Sequence, residues 1–405
     1  MVLNRAGRWS AAADLARRYL ASALLGTRDE GCRVRVMLAY SEARLAHLDT
    51  ARAVLASADS ICEGTAGKVE MATDLTRLHE ELAGAPVSLA SPSLERPWAT
   101  ADPRALGLNV AALQRHLSIC DSTGADACLV VYRDTLVQEW YSHRYQEPIY
   151  AMSSTKSITA LLVGMLLDEG KLHNLEDPVC TYVRSWCDGI RARVTLRHLL
   201  SMTSGLPRMY ADGVGFTDDK DGFVNKLTPT TEPGTTWAYS NEGAQLLSPL
   251  LDAAAGEPIQ DYALRRLFRP LGMDHTRLHL DGKGHAWTYA DAETTPRDLA
   301  RLGLLILHKG ASSGRRIVSE AWIETVTTPS QRMNPRYGLL WWIDHDAKAI
   351  AMHGHLDTDV HIVPDLSLVV VRMQAKPFGD LPEGTYEREA VPLYREFVVE
   401  TGRER

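Results

Sequence analysis

A chain of 405 residues, 45% hydrophobic and 23% charged, has material for two or three domains and a sizeable core. Its formal charge of −7 offers no electrostatic attraction to nucleic acid or to an anionic membrane, so neither is expected as a partner. The opening stretch MVLNRAGRWSAAADLARRYL lacks the apolar core of a secretory signal, and the longest uncharged apolar run, Ile158 to Leu167, is too short for a bilayer, which takes ~20 residues.

Residues 1–84 are rich in Ala, Leu and Arg and contain no proline, which suits helices. GRWSAAADLARRYLAS from Gly7 and AHLDTARAVLASADSI from Ala46 each pass from a turn residue, Ser10 or Asp49, into Ala and Leu at helical spacing. The pair resembles tetratricopeptide-type helical hairpins, at an offset longer than that family's usual ~34 residues. Two such units are few for a free-standing solenoid, so they are expected to pack on the rest and to offer a surface for a protein partner or self-association. A loop over 85–103, with prolines at 86, 92, 97 and 103, marks a domain boundary, and a single domain is expected over 104–405. A helix over Val110–Cys120 leads to a hairpin, in which ACLVVY and TLVQEWY flank Arg133–Asp134.

The apolar helix after Ser153 should stop at Gly170. VTLRHLLSMTSGL, AQLLSPLLDAAAG and TPRDLARLGLLILHKG read as further helices, YGLLWWI, AKAIAMHG and VHIVPDLSLVVVRMQ as strands, and a last helix should run from Pro392 to about Val399. Strands at both ends with helices between them predict one discontinuous α/β (α+β) domain closed by its own termini. The six cysteines (Cys32, Cys62, Cys120, Cys128, Cys180 and Cys187) form no C-x-x-C pair. They read as reduced thiols in a cytoplasmic protein.

Three short stretches carry chemistry. Within YAMSSTKSITALLVGMLLDEG, Ser153 and Lys156 stand at i and i+3, on one face of a helix. A helix buried all round would strip water from Lys156 and favour an uncharged amine able to take the serine proton, while the helix start favours a nearby anion. EPGTTWAYSNEGAQLL sets Trp237, Tyr239 and Asn241 just ahead of a helix; the phenol can relay a proton and the amide can hold a carbonyl or Lys156. AMHGHLDTDVHIVP supplies a basic residue between two strands near the C-terminus.

Ser-x-x-Lys, then Tyr-x-Asn, then a basic strand residue is the order of serine β-lactamases and penicillin-binding proteins. From about Trp98 to Gln374 the chain resembles the class C β-lactamase-related serine hydrolases, a group of esterases, D,D-peptidases, nylon-oligomer hydrolases and acyltransferases. The same stretches, with LRHLLSMTSGL, LFRPLGMDHTRL, TPRDLARLGLLIL and YGLLWWI, carry the resemblance in the family's order. It implies an antiparallel sheet flanked by helices with an all-helical lobe. Ser153 would be the acylated nucleophile, Lys156 its proton acceptor and Tyr239 the partner base, with Asn241 beside them and Trp237 at the substrate. His355 would occupy the basic triad position, and the amides of Ser153 and Thr358 would form the oxyanion hole. At the third triad position, usually glycine, stands Asp357. Its charge should disfavour β-lactams and D-Ala-D-Ala peptides, which leaves an amide, ester or acyl-transfer reaction on a small intracellular metabolite.

His353, His355, Asp357, Asp359 and His361 all fall on odd positions, and an unbroken strand would present them on one face. Strand spacing of ~7 Å between such side chains keeps all five from reaching one ion, so neither a metal nor any other cofactor is expected. The remaining rival is a non-catalytic binding or scaffold protein that kept the fold.

Overall fold

The computed structural model describes residues 35, 38, 53–58, 62–63, 98–208, 213–375 and 382–398. The chain divides into two compact units, Met1–Ser93 and Leu94–Arg405. Apart from a helical stretch at 53–58, the helical hairpins expected over 1–84 lie outside the described residues, as does most of the 85–103 linker.

In the second unit, helix α1 (Val110–Ser122) precedes strands β1 (Ala127–Tyr132) and β2 (Thr135–Tyr141). Their turn places Arg133 and Asp134 at φ 48° and 63°, the left-handed pair that a two-residue hairpin requires. Four strands follow near the C-terminus: β3 (Trp342–Asp344), β4 (Ala349–Gly354), β5 (Thr358–Val363) and β6 (Leu368–Met373). The sheet order is β2-β1-β6-β5-β4-β3, antiparallel throughout. Register Ala127↔Met373 joins the first strand to the last, so the two ends of the unit close on each other as expected.

β1 and β6 are apolar at almost every position because both faces of the sheet are covered. Leu129, Val131, Val360 and Val371 face the main core, which they share with the helices. Cys128, Val130, Val363 and Val370 face a second, smaller core against α1 and the C-terminal segment. Helix α2 (Thr155–Asp168) runs through the main core and is buried from Thr155 to Leu166. The helical middle contributes α3 (Asn241–Gln245) and α4 (Pro296–Leu307), the latter packed on β1, β5 and β6.

Four expectations are corrected. The reduced-thiol assignment fails: Cys120 pairs with Cys128, Cys180 with Cys187, and Cys62 is also disulfide-bonded. YGLLWWI is strand only at its end, because Leu340 sits at φ 60° and breaks the extension. The last helix is a short α-turn, α5 (Thr385–Ala390), continued as a 3-10 helix over Val391–Phe397. Finally, the unbroken strand that would set His353, His355, Asp357, Asp359 and His361 on one face does not form. The chain turns at His355–Asp357, with Leu356 at φ 63° and Asp357 at φ 52°. No helix among the described residues is long and apolar enough to cross a membrane.

Candidate active site

Ser153 lies in a 3-10 turn, Met152–Ser154, that runs directly into α2. Met152 takes φ 48°, a strained value for a side-chain-bearing residue, and is held there from two sides. Its carbonyl accepts from Thr155 Oγ1 at 2.8 Å and from the Asp291 N–H at 3.1 Å. Thr155 Oγ1 in turn accepts from the Ala292 N–H at 2.9 Å. Thr155 thus spans two loops, and Ser154 makes no capping bond either; its hydroxyl donates to the Thr358 carbonyl at 2.9 Å.

Burial of the helix brings Lys156 to 2% exposure beneath the serine. Its Nζ donates to Ser153 Oγ at 3.0 Å, Asn241 Oδ1 at 2.8 Å and the Tyr289 carbonyl at 2.7 Å. Three acceptors fill the three donors of an ammonium. For the amine to act as a base, the Ser153 contact must reverse so that the hydroxyl donates to Nζ. Asn241 reaches this point because Ser240, not Asn241, caps α3, its hydroxyl accepting from the Gly243 N–H at 3.1 Å. The amide is therefore spared for Lys156.

Tyr239 stands across from the amine, whose Nζ is 4.7 Å from the phenol ring centre. The ring stacks on Trp342 at 6.1 Å, and Tyr337 and Trp237 close an aromatic wall around the pair. Ser153, Tyr239, Asn241 and Trp237 are all half-buried, reachable from one side and supported from the other.

On the opposite flank β4 presses against the nucleophile turn. A Cβ on Gly354 would lie 2.8 Å from the Ala151 carbonyl oxygen and 3.0 Å from Met152 Cβ, so only glycine fits. The resemblance had put the triad glycine three residues later, where Asp357 stands. There the structure differs, and the correction reaches three residues. Asp357 turns its carboxylate away and accepts from the N–H groups of Gly384 and Tyr386 at 2.6 and 3.1 Å. His355 is exposed and pairs with Glu383 at 2.8 Å rather than projecting from a strand. Thr358 donates its N–H to the His355 carbonyl, which engages the amide expected as the second oxyanion donor.

An acid tied to the nucleophile turn through its backbone is Asp291, which the sequence did not single out. At φ 62° it is tied to Met152 through its own N–H. Burial raises its pKa, opposed by the positive charges of His279, Lys156, Lys220 and His355. Trp342 and the Tyr289 carbonyl were missed as well. A lone aspartate in a turn and a backbone oxygen leave no pattern in one sequence.

Comparison with known proteins finds relatives over much of the chain. The 6-aminohexanoate-dimer hydrolase of Paenarthrobacter ureafaciens is 24% identical over 342 residues, 75% of this chain and 85% of that protein. Penicillin-binding protein 4* of Bacillus subtilis (strain 168) is 34% identical over 142 residues, 31% of this chain and 30% of that one. The solved structure of EstCE1, a hydrolase with promiscuous acyltransferase activity, superposes with a TM-score of 0.56 at 16% identity, covering 70% of this chain and 99% of that one. Residues 110–391, more than half of the sequence, match the Beta-lactamase family, and the chain belongs to that family of serine hydrolases.

Proposed function

We propose that the chain is a serine hydrolase or acyltransferase that opens an amide or ester bond of a small molecule through an acyl-enzyme on Ser153. The observation that carries this is the 3.0 Å contact between Ser153 Oγ and Lys156 Nζ, with Asn241 holding the amine from the far side. Ser153 attacks the carbonyl while its proton passes to Lys156; Tyr239, above the amine, delivers a proton to the leaving group. Water or an acceptor nucleophile then resolves the acyl-enzyme. The start of α2 and the Ser153 N–H face the developing oxyanion. Turnover of a chromogenic short-chain ester tests the proposal. It is expected in the wild type and absent in Ser153→Ala; equal turnover in both would remove Ser153 as the nucleophile, and none in either would leave a binding scaffold.

A second substrate class gains ground from the position of Asp357. Its carboxylate is occupied by two backbone N–H groups, so it no longer argues against β-lactams or D,D-peptides. Asp291 now bears on that choice, because a half-buried acid tied to Met152 would, when ionised, repel a carboxylate next to the scissile bond. Asp291→Asn should raise the rate on a chromogenic cephalosporin relative to a neutral ester by roughly tenfold, the equivalent of ~1.4 kcal/mol. An unchanged ratio would remove Asp291 from substrate selection. The paired cysteines favour an oxidising compartment over the cytoplasmic setting expected from reduced thiols. Protein partners of the N-terminal segment stay part of the proposal.

A further inference from the structure

Three side chains converge on β4 and β5, on the face of the sheet opposite Met352 and Val360. His353 stands directly across the ladder from Asp359, and His361 lies two residues further along β5. His353 Nδ1 is 3.1 Å from Asp359 Oδ1, His361 Nε2 is 3.8 Å from Asp359 Oδ2, and the three ligand atoms lie within 4.8 Å of one another. His361 is 1% exposed, and neither of its ring nitrogens has a hydrogen-bond partner. A buried imidazole whose nearest polar group is a carboxylate oxygen 3.8 Å away is costly, and no other group among the described residues bonds either ring nitrogen.

The objection to a metal was that five ligands spaced along one strand cannot meet. The turn at His355–Asp357 removes two of the five and folds Asp359 back onto His353. We propose that His353 through Nδ1, Asp359, and His361 through Nε2 bind one divalent transition-metal ion of the zinc or cobalt class. The ion replaces the proton between His353 and Asp359. His353 then carries its proton on Nε2, 3.6 Å from Glu387 Oε1, the carboxylate partner that commonly orients a ligating histidine.

Arg372 lies opposite Asp359 on β6, but its guanidinium bonds the carbonyls of Leu356, Asp357 and Thr123 and the Gln374 side chain. That neighbouring positive charge weakens binding of ions held by charge alone, such as magnesium and calcium, and leaves the advantage to ions that favour imidazole nitrogen. A cavity of about 460 Å³, lined by Trp342, His353, Asp357, Asp359 and Glu387, gives the ion a route in and room for a water ligand. Bound there, it clamps β4 to β5 beneath the turn that carries Ser153, a positioning role with no contact to the reacting atoms.

The test is titration of the chelator-stripped, dialysed full chain with cobalt chloride, followed by visible absorption and calorimetry. One cobalt ion per chain is expected, with affinity lowered roughly tenfold or more in His361→Gln and in His353→Gln. His285→Ala, in the Asp219/Asp281/His285 cluster, should bind as the wild type does. If His361→Gln fails to fold, His353→Gln, at the cavity edge, decides alone. No cobalt-dependent absorption in the wild type, unchanged affinity in the foldable cluster variants, or loss of binding in His285→Ala would each overturn the site.

Discussion

Lys156 spends all three of its donors on oxygens from three separate segments, and the nucleophile is only one of them. Removing Asn241 Oδ1 frees the amine to shift away from Ser153. Asn241→Ala should therefore lower kcat about tenfold to a hundredfold with little change in KM, as expected for losing a group that positions the amine. Steady-state ester kinetics check it, and a pure KM effect would place Asn241 at the substrate instead. Asp357 makes the opposite prediction. As a cap for two N–H groups at the start of α5, its loss in Asp357→Ala should cost about 1–2 kcal/mol of stability. Urea denaturation measures that cost, while ester turnover per folded molecule should stay within about threefold on this purely structural account. Helix spacing in the sequence sets Ser153 beside Lys156, whereas Tyr239 and Asn241 were assigned beside them only through the family resemblance. Asp291 was legible in neither way, since a positive φ and a loop-to-loop hydrogen bond determine its place.

At the scale of elements, helices α1, α2 and α4 and strands β1, β2 and β6 follow from apolar periodicity, with modest differences at their ends. The geometry of the β4–β5 turn does not, because nothing in HLDTD marks the positive φ that Leu356 and Asp357 adopt there. The cysteines also escaped, as pairing across eight residues between α1 and β1 follows from tertiary packing rather than from spacing. Between the same elements sits His116, buried under α1, which bonds Gln138 at 2.9 Å and the Tyr386 hydroxyl at 2.8 Å. Burial lowers its pKa from 6.5 to about 4. Above 6.5 the ring is neutral whether the chain is folded or not. Between 6.5 and 4 the unfolded chain takes a proton that the folded one refuses, so this contribution is lost as pH falls, on the order of 3 kcal/mol in all. His116→Gln should remove that dependence. Comparing urea midpoints of the two proteins at neutral and acidic pH checks it, and a stability difference that stays constant would contradict it.

Across the whole second unit, the β1–β6 pairing joins residues 246 positions apart in sequence at Ala127 and Met373. That closure completes the sheet on which α2 and the Ser153 turn pack, so the site is assembled from segments that meet only when the domain is complete. Residues near 153, 239, 289 and 354 come from four such segments, and the central claim is that their meeting makes one serine reactive. Fluorophosphonate labelling of the full chain, read by intact mass and peptide mapping, measures this most directly. The account predicts a single adduct, located at Ser153, whose formation slows by roughly a thousandfold or more in a folded Lys156→Met variant. An adduct on another residue, or labelling of that variant at the wild-type rate, would contradict it.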